Sequence, residues 1–330
     1  MNKVTEMKSG ATIAKILFRR NLSADMKHFL EDCPIFTSPD KRWTMQGQSR
    51  ANQCTGFMGG GMLNGVFFDA GVRTRKKPKL VLLTHSHLDH CNALSEMCRA
   101  AKEQEPLTVM MPPEAVEPMR QKLFGDAMAA ACCSDPNKTD RIPICIIAGI
   151  AGSGQHYIFG NLRITPIVLD HNVPCIGFYI EHICSRLMSK YEDCTPQMIA
   201  EARKKGEIVT EVQYMPLLYF GGDTTIQPFL DGRIPLTAPV IFTECTELIK
   251  LHEGEAATKH TLATDLLELL YDNDHIRYTW VLIHLSYHKT DKEIYKYFNE
   301  SKLYCKDIRL WLTTGPKFYR EANCSLLSDK

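Results

Sequence analysis

No apolar stretch of this 330-residue chain approaches the roughly 20 residues that a helix needs to cross a membrane, so a helical membrane protein is excluded. The opening "MNKVTEMKSGATIAKILFRRN" has no continuous apolar core of the kind a secretory signal carries. Its basic character has the flavour of an organelle transit signal, which Glu6 interrupts. The expectation is a soluble, cytoplasmic protein with no membrane partner; nucleus and organelle stay open. Charge of one sign is lacking as well: 39 Lys and Arg face 38 Asp and Glu, a formal net charge of +1. No global field advertises nucleic acid, and a partner must be argued from a local site.

Paired-cysteine motifs are missing. The 13 cysteines are scattered without a CxxC pair, and a chain this long needs no disulfide framework, so reduced thiols are expected. No internal repeat, low-complexity tract or Pro/Gly/Ser linker divides the chain. These absences point to a single domain over 1–330, with a short helical insertion near 185–212.

What is present is a series of short apolar runs bounded by turn residues: "GVFFDAG", "KLVLLTH", "LTVMMP", "IPICIIAG", "LRITPIVLDH", "IGFYIEH", "LLYFGGD", "PVIFTEC" and "YTWVLIHL". Each reads as a buried or half-buried strand. Helical patterns lie between them in "LSEMCRAAKEQ", "PEAVEPMRQKLFGDAMAAACC", "PQMIAEARKKG", "TLATDLLELLYDN" and "DKEIYKYFNES". Strands in blocks with helices outside predict an α/β protein of two sheets sandwiched by helices.

The most specific signal is "LLTHSHLDHCN" at 82–92. A lone histidine is ordinarily a core or surface residue, but His85, His87, Asp89 and His90 crowd four ligand-type side chains into six positions after an apolar run. Imidazole and carboxylate suit zinc, whose catalytic sites keep a position for water. Read as an extended segment, His85, His87 and Asp89 project to one side and His90 to the other. Cys91 reads as a small buried hydrophobe. His28, His156, His182, His252 and His275 read as surface or structural residues.

"HSHLDH" is similar to the HxHxDH motif of the metallo-β-lactamase superfamily. That resemblance implies a four-layer αββα sandwich and further ligands from later strand ends, in the order His, Asp, His. "IVLDHNVPCIGF" offers His171, "LLYFGGDTT" offers Asp223 and "WVLIHLSYHK" offers His284. On the superfamily pattern, His85, His87 and His171 hold one metal, Asp89, His90 and His284 the other, and Asp223 bridges them. Two zinc ions are implied, with manganese and iron open because they accept similar ligands. Asp69, in "VFFDAG", would orient a ligand histidine.

Three stretches resemble ribonuclease Z within that superfamily: "HNVPCIGFYIE", "YFGGDTT", and "FTECTEL" followed by "KHTLATD". The resemblance implies an endoribonuclease that hydrolyses a phosphodiester near the 3′ end of precursor tRNA by a hydroxide held between two metals. Asp89, Glu244 and His260 would be catalytic, the last two as a proton-relay pair; alternatively, "HTLATD" simply starts a helix with Thr261 or Thr264 near its cap. "HLSYHKT" matches the last motif in part, and Lys289 is either a phosphate contact or a solvated lysine.

The family's glycine-rich N-terminal loop is not recognisable in "QGQSRANQCTGFMGGGMLNG", where Gly59 to Gly61 read as a tight hairpin. Its glycine- and proline-rich arm has no counterpart, and "SKYEDCTPQMIAEARKKGEIVTE" reads as a helical substitute. Basic groups at "RTRKKPK", Arg203 to Lys205, and Lys41 with Arg42 are candidate phosphate contacts, each taken singly read as solvated charge. RNA is the partner implied, with a homodimer left open. Two other functions remain: a thioester or lactone hydrolase of the glyoxalase II type, and a non-catalytic binding protein of the same fold.

Overall fold

The structure, a computed structural model, describes residues 29–132, 143–152, 154–248, 259–272, 278–300, 307–313 and 315–318. Among them, fifteen strands form two sheets. The first runs in chain order through β1 (Ile35–Thr37), β2 (Trp43–Arg50), β3 (Cys54–Gly61), β4 (Val66–Phe68), β5 (Leu80–Leu82), β6 (Leu107–Met111) and β7 (Ile144–Ala148). It is antiparallel as far as β4 and parallel from there to β7. The second contains β8 (Tyr157–Phe159), β9 (Leu162–Leu169), β10 (Cys175–Leu187), β11 (Thr210–Phe220), β12 (Val240–Glu244), β13 (Thr279–Ile283), β14 (Asp307–Leu312) and β15 (Gly315–Phe318). Strands β11 to β14 pair in parallel, with antiparallel neighbours on both sides.

Period-two alternation sorts the side chains of these strands into three apolar layers. Leu80 and Leu82 of β5, Val240 and Phe242 of β12, and Val281 and Ile283 of β13 meet between the sheets. Their alternate neighbours point outward: Val81 and Leu83 meet Leu94, Met97, Met119 and Leu123 of the helices Leu94–Arg99 and Val116–Ala130. On the other side, Ile241, Trp280 and Leu282 meet Leu266 and Leu269 of the helix Ala263–Asp272 and Ile294 and Phe298 of the helix Asp291–Glu300. Helices thus cover both outer faces, giving the expected four-layer αββα sandwich.

Phe242 sits at the middle of the inner layer, with the rings of Phe36, Trp43, Phe57, Phe220 and Trp311 around it at centroid distances of 5.6, 6.5, 6.1, 5.9 and 6.3 Å. Five aromatic neighbours leave the site little freedom to collapse. Phe242→Ala should therefore destabilise the fold by about 3–5 kcal/mol, read from chemical denaturation. A loss under about 1 kcal/mol would mean that the two sheets do not meet there.

The strands that sequence pattern did not reveal are instructive. β2 and β3 read as "WTMQGQSR" and "CTGFMGGG", a composition that disfavours strands. Tertiary contact requires it: a Cβ at Gly47 would run into the Gly56 carbonyl and the Phe57 ring, and the Gly47 carbonyl accepts from Trp311 Nε1 at 3.1 Å. Gly59 to Gly61 belong to β3, and the turn follows them. The strands β1, β8, β14 and β15 were also unmarked by the pattern. The helix begun at Leu94 stops at Arg99, short of the expected run to Gln104, because the chain reverses at Lys102–Glu105 before β6.

Candidate metal centre

Strand polarity explains why the candidate ligands converge. β9, β11, β12 and β13 all run the same way in the second sheet, so His171, Asp223, Glu244 and His284 emerge at one edge. His85 to His90 emerge just after β5 of the first sheet. The extended reading of 85–89 needs correction: Leu88–Cys91 is a single helical turn. Gly71 lets that turn pack close, since a Cβ there would strike the Asp89 carbonyl. The turn separates Asp89 from His85 and His87 and puts it with His90 and His284.

Two sets of donors result. His85, His87, His171 and Asp223 form one; Asp89, His90 and His284 form the other. In the first, His87 Nδ1 lies 3.1 Å from His85 Nε2 and 3.2 Å from His171 Nε2. In the second, Asp89 Oδ2 lies 3.3 Å from His284 Nε2 and 3.8 Å from His90 Nε2. Asp223 faces both: Oδ2 is 3.7 Å from His85 Nε2 and 3.8 Å from His171 Nε2, while Oδ1 is 3.4 Å from His90 Nε2 and 3.5 Å from His284 Nδ1.

Hydrogen bonds fix which nitrogen of each ring is free. Thr84 donates its N–H and hydroxyl to Asp69 Oδ1 at 2.8 and 2.9 Å, so its hydroxyl accepts from His85 Nδ1 at 3.0 Å. Asp69 Oδ2 accepts from His90 Nδ1 at 2.8 Å. The Lys259 carbonyl accepts from His171 Nδ1 at 3.1 Å. Thr246 Oγ1 donates to Glu244 Oε2 at 2.5 Å and accepts from His284 Nδ1 at 2.9 Å. Four rings are thereby left with Nε2 aimed inward, the arrangement that outer hydrogen-bond partners impose on ligand histidines. Asp69 and His284 hold left-handed backbone, φ 55° and 53°, a strained state for residues with a Cβ.

A cation fits this donor set. Three ring nitrogens face one another at about 3 Å with too few protons to satisfy them all, and His90 Nε2 and Asp223 Oδ1 are buried without a hydrogen-bond partner. Burial, helped by the neighbouring histidines, pushes His85 well down, and burial also lowers His87 and His171, so these rings are neutral donors. In the second set, burial works against charge but is outweighed: Asp223 and Asp69 raise His90 to about 10, and the His284 and His90 rings hold Asp89 low. The pocket thus demands positive charge, which a proton on His90 supplies when nothing else does.

Glu244 and His260 meet beside the cluster. Glu244 is fully buried and its Oε1 accepts from His260 Nδ1 at 2.9 Å and from Thr224 N at 2.6 Å. Burial would lower His260, but the Glu244 charge and hydrogen bond raise it to about 9. His260 also shares a possible donor group with Asp223 and His284, its ring stacked on His284 at 5.7 Å. Thr261 donates to the Thr224 carbonyl at 2.8 Å. Thr246, Thr84 and the Lys259 carbonyl were missed by sequence reasoning; Thr246 alone left a signal, two residues beyond Glu244 at a strand end.

Other candidates fall elsewhere. Arg73 pairs with Glu96, Arg75 with Asp32 and Arg42 with Asp40. Arg203, Lys204 and Lys205 close the helix Pro196–Lys204, which lies in the connection between β10 and β11. β11 has 11 residues, about 36 Å at roughly 3.3 Å each, and it separates them from the Asp223 end. Lys289 is half-buried, and its carbonyl is taken by Arg50. Cys91 is buried, which pushes its thiol up to about 11, and its Sγ donates to the Ser86 carbonyl. His156 is exposed and His182 lies in β10; His28, His252 and His275 lie outside the described residues.

No family model matches the chain. The chloroplastic tRNase Z TRZ2 of Arabidopsis thaliana is 27% identical over 197 residues, 58% of this chain and 53% of that protein. The chain resembles tRNase Z. The match spans about half the length of that curated relative. Among solved structures, the short-form human tRNase Z, ELAC1, superimposes with a TM-score of 0.45 at 13% identity, over 74% of this chain and 93% of that one. The metallo-β-lactamase fold protein YhfI of Bacillus subtilis gives 0.47 at 14%, over 80% and 92%. Among the described residues, no helix is long and apolar enough to cross a membrane.

Proposed function

We propose that the chain is a metal-dependent phosphodiesterase, an endoribonuclease that cuts near the 3′ end of precursor tRNA. The observation that carries this reading is the conjunction of two donor sets joined by Asp223 with a Glu244–His260 pair at hydrogen-bond distance beside them. The tRNase Z resemblance supports RNA as the substrate class.

In this reading, His85, His87 and His171 hold one metal, Asp89, His90 and His284 the second, and Asp223 serves both. Bound there, two divalent ions would supply Lewis acidity toward the phosphoryl oxygens and a water of lowered pKa. The remaining work falls to the chain. Asp69, Thr84, Thr246 and the Lys259 carbonyl hold the ligand rings in one tautomer. Glu244 fixes Nδ1 of His260 and stabilises its protonated ring, leaving Nε2 to give a proton to the departing 3′-oxygen.

The test is a precursor tRNA carrying a 3′ trailer, incubated with the zinc-loaded chain, with the cut mapped beside hydrolysis of bis(p-nitrophenyl) phosphate. Cleavage at the 3′ end of the acceptor stem is expected. Hydrolysis of the small diester with intact tRNA would sink the substrate assignment, and hydrolysis of neither would sink the phosphodiesterase one. A thioester such as S-lactoylglutathione, turned over in their place, would favour the glyoxalase II type.

A further inference from the structure

The turn between β2 and β3 touches the second donor set from outside. Asn52 N donates to Asp89 Oδ2 at 3.0 Å, Ser49 Oγ accepts from His284 N at 2.9 Å, and Ala51 N donates to the Leu285 carbonyl at 3.2 Å. Among the described residues, hydrogen bonds of Ser49–Asn52 reach ligands of the second set and none of His85, His87 and His171. Asn52 takes left-handed backbone, φ 56°, as asparagine readily does in a turn, whereas His284, at φ 53°, needs outside support to hold it.

Arg50 supplies that support. Its side chain is only 5% exposed, and its two terminal nitrogens diverge: Nη1 meets Asp291 Oδ1 at 3.1 Å and Nη2 donates to the Lys289 carbonyl. Asp291 Oδ2 in turn accepts from Thr313 Oγ1 at 2.6 Å, just beyond β14. The segment from His284 to Lys289 is thus held at both ends by consecutive residues, Ser49 and Arg50. A lysine would bring one compact ammonium group where the guanidinium forks to two partners.

We propose that Arg50 is a positioning residue for the second metal, acting through the 284–289 loop on His284. Without it the loop gains freedom that metal binding must then remove, which weakens the second half and spares the first, whose ligands come from β5 and β9. This inference rests on the paired-metal reading above.

The experiment is a Zn²⁺ titration of the full metal-stripped chain against a chromophoric chelator. Wild type should take up two equivalents. Arg50→Met should keep the first within about twofold and weaken the second on the order of 10- to 100-fold, the range seen when outer partners of metal ligands are removed. Arg50→Lys, which retains a cation for Asp291, should fall between, and it carries the test if Arg50→Met does not fold. Leu162→Ala, in the inner core at the end of β9 away from His171, controls for general loss of stability and should leave both equivalents intact. Equal weakening of both equivalents, no weakening, or the same selective loss in Leu162→Ala would overturn the proposal. Wild type taking up fewer than two equivalents would overturn the paired-metal reading itself, an outcome visible before any variant is made.

Discussion

Asp223→Ala should cut hydrolysis steeply and strip both metals, whereas His87→Ala should cut it as steeply while costing chiefly one. Asp223 offers Oδ2 to His85 and His171 and Oδ1 to His90 and His284, so its removal opens both donor sets. His87 contributes a single nitrogen to the first. If metal clamping supplies about 4 kcal/mol of transition-state stabilisation, each loss should lower kcat/KM by roughly 10³-fold. Neither change should unfold the protein, because the three apolar layers lie below the strand ends that carry these residues. Inductively coupled plasma mass spectrometry for metal, thermal melting for fold, and bis(p-nitrophenyl) phosphate turnover for chemistry separate these effects. His156→Ala, at an exposed position, should change none of them. Asp223→Ala protein that retained two metals, or a His156→Ala loss as large as that of His87→Ala, would remove the basis for the ligand assignment.

Much of this site could be read before the fold was known, for a reason visible in individual residues. His85 to His90 are local, and His171, Asp223 and His284 each stand where an apolar run ends, so composition marks them. The residues that orient them leave no such mark. Thr84 and Thr246 act through hydroxyls, Lys259 through its carbonyl, and Asn52 through its N–H, groups whose role depends on contacts up to 88 residues away in sequence. The same holds for β2 and β3, whose glycines disfavour a strand locally and answer to close neighbours distant in the pattern: Phe57 and Trp311 at Gly47, Val72 at Gly56 and Leu63 at Gly59. Local reading also kept the candidate ligand segment extended through Asp89, where the chain coils into a turn that packs closely on Gly71. The central strands of both sheets and the helices over them were legible from apolar runs and period, since buried β5, β12 and β13 must feed two layers each, whereas β1, β2, β3, β8, β14 and β15 were not.

His260→Ala should slow cleavage of RNA by about 10²- to 10⁴-fold and leave two metals bound, because a proton donor contributes to turnover without holding an ion. The argument turns on the leaving group. A ribose 3′-oxygen departs poorly as an alkoxide and needs a proton from His260 Nε2, whereas p-nitrophenolate departs unaided. The loss should therefore be large for precursor tRNA and small for bis(p-nitrophenyl) phosphate. Glu244 is the less discriminating position: it is fully buried and also accepts from Thr224 N beside Asp223 and from Thr246, which holds His284. Glu244→Ala would leave those donors unmet, at about 1–3 kcal/mol each, and confuse support with chemistry. Glu244→Gln keeps the shape and one acceptor oxygen, enough for Thr224 N and His260, while its amide NH2 faces Thr246 and the charge that stabilises the protonated His260 ring is lost, so it should reproduce the selective loss on RNA with less structural damage than Ala. The competing role is a third ligand group, since His260 stands close to Asp223 and His284. If His260→Ala loses a metal, or slows both substrates alike, His260 belongs to the metal site and the proton must come from elsewhere.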